Sequence, residues 1–355
     1  MRFLSLLSLV TAVTSSIIKG ISFYGLETPS EDLVCAWAHP PEHYLSQLKG
    51  IGFNTIRLPF SLEYVRKGNF DKMDHFINEC CRLNLNLVLD LHRIWNSHQG
   101  PTPEEGVTLD DVVQTWLTVL HRYSNFPNIV GHNGFNEYQY KDIQYLQHYH
   151  ECIFNAVEEN FPGRYKHFAS GLFWAGSIAG ISLEHLPYKD RIVYSVHKYW
   201  FSGSGDEHDW EVSFGNEFPC NKIVIGEWGW KQQIPHEVDW ATRFIAYLKK
   251  KGIRNTSFWT IAYSGDTDGI YFDDCENINW DKFNLLKTLW QEPRRLLRGS
   301  ARDHEVASPT VKPIPIYVPY ASLGVRSENQ TMEIGSLEEA SVHPLTSDMH
   351  YVAAR

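Results

Sequence analysis

The chain has 355 residues, room for one large domain or two ordinary ones around a substantial core. A hydrophobic fraction of 43%, with 12 Trp, 18 Tyr and 19 Phe, excludes a disordered protein and supplies flat apolar rings in excess, most of them for core packing. The net charge of −10 excludes a nucleic-acid polyanion as the natural partner, because phosphate binding calls for a surplus of Lys and Arg.

The first 16 residues read as a secretory signal peptide: Arg2 gives a positive start, an apolar stretch runs from Phe3 to Val13, and small residues follow. That stretch is too short to anchor in a bilayer, and no later one is long enough, so a protein without a membrane span is expected outside the cell. Six cysteines then stand in a disulfide-permissive setting, none in a CxxC spacing.

From about residue 17 to residue 298 one domain is expected, because two textures alternate. Short apolar runs rich in β-branched and aromatic residues read as buried strands: GISFYGLE, NTIRLPF, NLVLDLH, NIVGHNGFNE, KHFASGLFW, RIVYSVHKY, KIVIGEWG and NTSFWTIAY. Between them lie helical or helix-sized stretches. PPEHYLSQLKGIG has prolines at its start and a glycine stop, and HEVDWATRFIAYLKKKG ends in lysines that suit a helix C-terminus. Eight such units spell a (β/α)8 TIM barrel, whereas an open doubly wound sheet would carry a GxGxxG turn after its first strand. Residues 299–355, with SPTVKPIPIYVPY near their start, lack either period and read as a flexible tail.

Active sites of barrels lie at the C-terminal ends of the strands. The expected strand ends carry Arg57, then Asp90 and His92, then Asn136 and Glu137, then Trp174, then His197 and Tyr199, then Glu227 and Trp228, then Trp259 and Tyr263. Singly, each has an ordinary structural explanation; together on one face they make a site. Strands four and seven lie across the mouth from each other, so Glu137 and Glu227 face one another. Two carboxylates flanking a gap equip a chain for glycoside hydrolysis, by retention at about 5 Å separation and by inversion nearer 8 Å. Arg57 and Tyr199 would hold one of them as the anion. No HExxH, P-loop or GxSxG occurs and the histidines show no ligand spacing, so neither metal nor organic cofactor is expected.

These strand ends resemble glycoside hydrolase family five, the cellulase-type retaining barrels, from about residue 19 to about residue 290. The resemblance implies Glu137 as acid/base, Glu227 in IGEWG as nucleophile, and Asn136 as a partner of the sugar 2-hydroxyl. Arg57, His92, His197 and Tyr199 would form the surrounding shell, with Tyr199 bonded to the nucleophile and Trp259 beneath the cleaved sugar. SGDTDGIY is similar to a loop of secreted endo-β-1,4-glucanases, with Asp268 in place of a glycine and Tyr138 in place of a common proline. The implied protein is a secreted, monomeric endo-β-1,4-glucanase acting on a β-linked polysaccharide or oligosaccharide. A β-mannanase, another glycoside or glycolipid hydrolase of the same mechanism, and a non-catalytic glycan-binding barrel are the alternatives. Trp37, Trp95, Trp174, Trp200 and Trp228 fall in or near strand-end loops where about half are expected to stack on sugars. Cys35 and Cys275 follow strands one and eight, neighbours in a closed barrel, and are expected to pair.

Overall fold

A computed structural model describes residues 17–97, 106–139, 142–265 and 267–291. The expected signal peptide and tail lie outside the described residues. Eight parallel strands close into a barrel: β1 (Lys19–Ser22), β2 (Thr55–Ser61), β3 (Asn86–Arg93), β4 (Ile129–Asn133), β5 (Lys166–Ser170), β6 (Ile192–Lys198), β7 (Ile223–Trp228) and β8 (Thr256–Phe258). Closure is made by β1 against β8, with Gly20 opposite Ser257. A Cβ on Gly20 would lie 2.9 Å from the Thr256 carbonyl oxygen, so the seam needs glycine there.

The strands are buried on both faces. Outward residues such as Ile56, Leu58, Leu87, Leu89, Tyr194 and Ile225 pack in the main core, and Val88, Phe168, Val193 and Val224 form a separate apolar cluster. The covering helices are α1 (Pro41–Ile51), α2 (Leu62–Lys67), α3 (Asp71–Arg82), α4 (Leu109–Arg122), α5 (Ile143–Asn160), α6 (Glu207–Trp210), α7 (Pro235–Lys251) and α8 (Trp280–Lys287). Their boundaries follow local chemistry. α1 opens on Pro41 and stops at Gly52, whose φ is 113°; α4 opens on a capping box between Thr108 and Asp111. No described helix is long and apolar enough to cross a membrane.

Two departures bear on the site. A helix-sized stretch was expected after every strand, but β5 and β6 are joined by irregular chain with a single 3-10 turn at Lys189–Arg191. Two residues into that connection come Phe173, Trp174 and Ala175, all in the left-handed region at φ 55–56°. The run is held by hydrogen bonds from Trp174 N to Tyr138 O (3.0 Å) and from His197 N to Ala175 O (2.8 Å). Secondly, the β6–β7 register slips between Val196 and His197, so Gly226 is skipped. Val224 and Gly226 line the barrel interior, and strict alternation would turn Glu227 away from it. The bulge at Gly226 restores Glu227 to the inside.

The Cys35–Cys275 disulfide is formed, with Cα atoms 5.7 Å apart, and ties the loop after β1 to the loop after β8. Cys80, on α3, is buried in the core.

Candidate active site

β2 delivers Arg57 to the barrel mouth, 4% exposed and surrounded by acceptors. Its Nη1 donates to Oε1 of Glu227 (2.6 Å), and its Nη2 donates to Oδ1 of Asn136 (2.5 Å) and lies 2.9 Å from Oδ2 of Asp90. β3 adds His92, whose Nδ1–H donates to the same Asp90 oxygen (2.8 Å) and whose Nε2 accepts from Asn136 Nδ2 (3.2 Å). Arg57, Asn136, His92 and Asp90 thus form a closed ring of hydrogen bonds. The ring fixes which way the Asn136 amide points, because only one orientation satisfies both neighbours. Asp90 is held in turn by Asn133 Nδ2 at its other oxygen (2.8 Å), and Asn133 accepts from Ser170 Oγ (2.9 Å).

Electrostatics follow burial. Loss of solvation raises Asp90 above the ordinary carboxylate range, although Arg57 opposes this. Burial alone would weaken the Arg57 cation, but Asp90 and Glu227 more than compensate and its pKa rises. Burial drives His92 down to about 3 and His197 down to about 4, so both imidazoles are neutral at physiological pH.

Asn136 and Glu137 lie just past the end of β4, where Asn136 N still bonds to Leu91 O of β3 (2.9 Å). Glu137 is half-buried, and its Oε1 stands 2.9 Å from Nδ1 of His197. The same Nδ1 is 3.7 Å from Oε2 of Glu227. Nε2 of His197 is buried and has no hydrogen-bond partner among the described residues, which places the ring proton on Nδ1, since a buried orphan donor is rarer than an orphan acceptor. Tyr199 follows β6 and donates its hydroxyl to Oε2 of Glu227 (2.9 Å); burial first, then the two glutamates, raise that phenol well above its usual range.

One oxygen from each of Glu137 and Glu227 and one nitrogen of His197 lie within 4.8 Å of one another. Three such atoms could in principle share a cation. Here both oxygens of Glu227 already accept from Arg57 and Tyr199, and a cation would sit against the guanidinium, so the donor set suits a carboxylate pair better than a metal.

Trp259, directly after β8, is half-buried at the mouth. Its ring stacks with His92 (5.2 Å, 10°) and Tyr24 (5.7 Å, 23°), and the Arg57 guanidinium lies 6.0 Å from it. Trp174 (53% exposed) sits on the left-handed run, bonded to the residue after Glu137; Trp37 (73% exposed) lies two residues from Cys35. Trp200 is also exposed and Trp95 half-buried.

Trp228 needs correction. It was expected to face a sugar, but it is fully buried against Trp230, Phe244 and Phe258, between the barrel and α7. Neighbours along a strand point to opposite faces, so with Glu227 inside Trp228 must be outside. Asp90 stands at an expected strand end, but its hold on Arg57 and His92 emerges only in the fold; its polar alternation with His92 in LDLH was the available signal.

Residues 15–265 match the family model of Cellulase (glycosyl hydrolase family 5). The major extracellular endoglucanase of Xanthomonas campestris pv. campestris is 24% identical over 330 residues, covering 77% of this chain and 67% of its own length. An endoglucanase of Paenibacillus polymyxa is 23% identical over 335 residues, covering 76% of this chain and 81% of its own. Among solved structures, an endocellulase of Pyrococcus horikoshii in complex with cellotetraose is similar in fold, with a TM-score of 0.70 at 24% identity over 78% of this chain and 93% of that one. The chain belongs to glycosyl hydrolase family 5, the cellulase family, and is a glycoside hydrolase.

Proposed function

We propose that the protein is a secreted, retaining endo-β-1,4-glucanase, with Glu227 as nucleophile and Glu137 as acid/base. The observation that carries this is the approach of the two carboxylates. An oxygen of each within 4.8 Å of the other fits the roughly 5 Å of a retaining pair and falls short of the roughly 6.5–9.5 Å of an inverting pair.

The surroundings divide the roles. Arg57 and Tyr199 both donate to Glu227 and so hold its carboxylate in place, one oxygen each, for attack on the anomeric carbon. As the C1–Oε bond forms, the glycosidic C1–O bond breaks and Glu137 gives its proton to the leaving oxygen. Water then attacks C1, returns a proton to Glu137 and expels Glu227. Asn136 Nδ2 has two hydrogens; His92 takes one, and the other is available to the 2-hydroxyl of the sugar. Trp259 supplies the stacking surface beneath that ring. The leader-like start and the Cys35–Cys275 disulfide support export, and the named endoglucanase relatives support a β-glucan as substrate.

Reducing-end release from carboxymethylcellulose, β-mannan, xyloglucan and laminarin tests the substrate, with Glu227→Gln alongside. Activity on the cellulose derivative, absent in the variant, is expected, with the β-anomer formed first by NMR. An α-anomer as first product would overturn retention, and hydrolysis of mannan alone would overturn the glucanase assignment.

A further inference from the structure

α8 carries a lysine, Lys282, whose side chain is 0% exposed. Its Nζ donates to the main-chain oxygens of Trp230 and of Asp268 (2.7 Å), and lies 5.0 Å from the Trp230 ring and 5.5 Å from that of Phe258. Burial lowers its pKa to about 7, with Asp268 and Glu237 opposing. A methionine would fill the same space without the desolvation of an ammonium group. What a methionine cannot do is join two carbonyls from two loops, one after β7 and one after β8.

The second of these loops holds Trp259. The indole N–H donates to Ser264 Oγ (2.8 Å), and the Trp259 carbonyl accepts from Thr267 Oγ1 (2.8 Å). The Asp268 carboxylate reaches back to the first loop, where its Oδ2 accepts from Gln232 N (2.7 Å), and the Gln232 side chain accepts from Trp230 Nε1 (2.8 Å). The two loops are packed without slack: a Cβ on Gly229 would stand 2.4 Å from the Trp259 oxygen, and one on Gly269 2.1 Å from Ala262 Cα. Asp268 is the position where this loop departs from the glycine of the endoglucanase pattern, so the carboxylate and the lysine below it form a cross-link that a glycine could not complete.

We propose that Lys282 and Asp268 are positioning residues for the sugar: together they latch the loop that fixes Trp259 and so set how firmly the indole holds the ring at the cleaved bond. This rests on the platform role given to Trp259 above. Stacking is offered alike to bound sugar and to transition state, so its loosening appears in KM rather than kcat.

The test uses Lys282→Met, Asp268→Ala and the conservative Asp268→Asn, read by kinetics on a soluble cello-oligosaccharide and by hydrogen exchange of peptides covering residues 259–271 in the free protein. Lys282→Met is expected to raise KM about tenfold with kcat within twofold and to speed exchange in that segment. Asp268→Ala should do the same more weakly, and Asp268→Asn, which keeps the acceptor for Gln232, should restore wild-type values. Unchanged exchange and KM in both loss variants would overturn the proposal, as would a fall in kcat at constant KM. If Lys282→Met does not fold, the Asp268 pair decides, since that side chain is partly exposed rather than buried in the core. Wild-type protein inert on the oligosaccharide, with exchange faster in the variants, would support the latch while removing the glucanase reading.

Discussion

Nη1 of Arg57 lies 2.6 Å from Oε1 of Glu227, and the same guanidinium is the counter-ion of Asp90. One buried cation therefore serves both the reacting carboxylate and the ring that orients Asn136. Arg57→Ala removes a donor aimed at Glu227 and strands Asp90 in the interior. A fall in kcat of about 10²–10³ is expected from the lost donor. A stability loss of about 3–5 kcal/mol is expected from the uncompensated buried charge. Steady-state kinetics and urea denaturation read the two separately, and the double variant Arg57→Ala/Asp90→Asn should recover stability but not rate.

Glu137→Ala should separate the two chemical roles. Without a proton donor, substrates with poor leaving groups stall, whereas an aryl glycoside whose phenolate leaves unaided still forms the glycosyl-enzyme. The expected result is loss of polymer hydrolysis with accumulation of the covalent intermediate on Glu227, seen by intact mass. Equal loss on both substrate types, with no adduct, would remove Glu137 from the acid/base role.

Trp174 and Trp228 should respond in opposite ways. Trp228→Ala empties a fully buried site and is expected to destabilise by about 3–5 kcal/mol. Trp174→Ala, at the exposed mouth, should leave stability within about 0.5 kcal/mol and raise KM on long substrates. Thermal unfolding and KM measured on both variants check the contrast.

Stability should decline as the medium turns acid, beginning near pH 6.5. Burial holds His150, His167 and His197 down at about 4, while the unfolded chain protonates them near 6.5. Below pH 6.5 the unfolded state binds more protons, so each of these histidines withdraws about 1.4 kcal/mol per pH unit until the folded pKa is reached. Asp90, raised in the fold, acts in the opposite sense at the acid end of that window. Urea midpoints at pH 7, 6 and 5 measure the slope, and replacing His150, which bonds to Ser170 O, by Gln should flatten it.

The barrel was legible because its strands, buried on two faces, leave continuous apolar runs that periodicity detects. The polar ends of those runs gave Arg57, His92, Asn136, Glu137, His197 and Tyr199, which the fold gathers round Glu227. Other features left no such trace. The register slip at Gly226 depends on the partner strand, and a residue skipped in pairing looks like any other in a list. Trp228 was misplaced because aromatic content was counted without following the alternation from Glu227. Lys282 reads as an ordinary exposed lysine on a short helix, since its burial is decided by two loops that come together only in the closed barrel. The missing helix between β5 and β6 was hidden by the length of the connection, which is long enough to hold one.

The left-handed run of Phe173, Trp174 and Ala175 stores energy at the mouth. Three consecutive side-chain-bearing residues at positive φ disfavour the fold by about 1–2 kcal/mol each, and the chain tolerates this because Tyr138 grips the run at Trp174 and His197 grips it at Ala175. Glycine at 173 or 175 would relieve that strain and yield a tougher protein with a slacker rim. The aromatic shelf beside Glu137 is therefore ordered in advance, and an arriving chain need not spend its own affinity on shaping it.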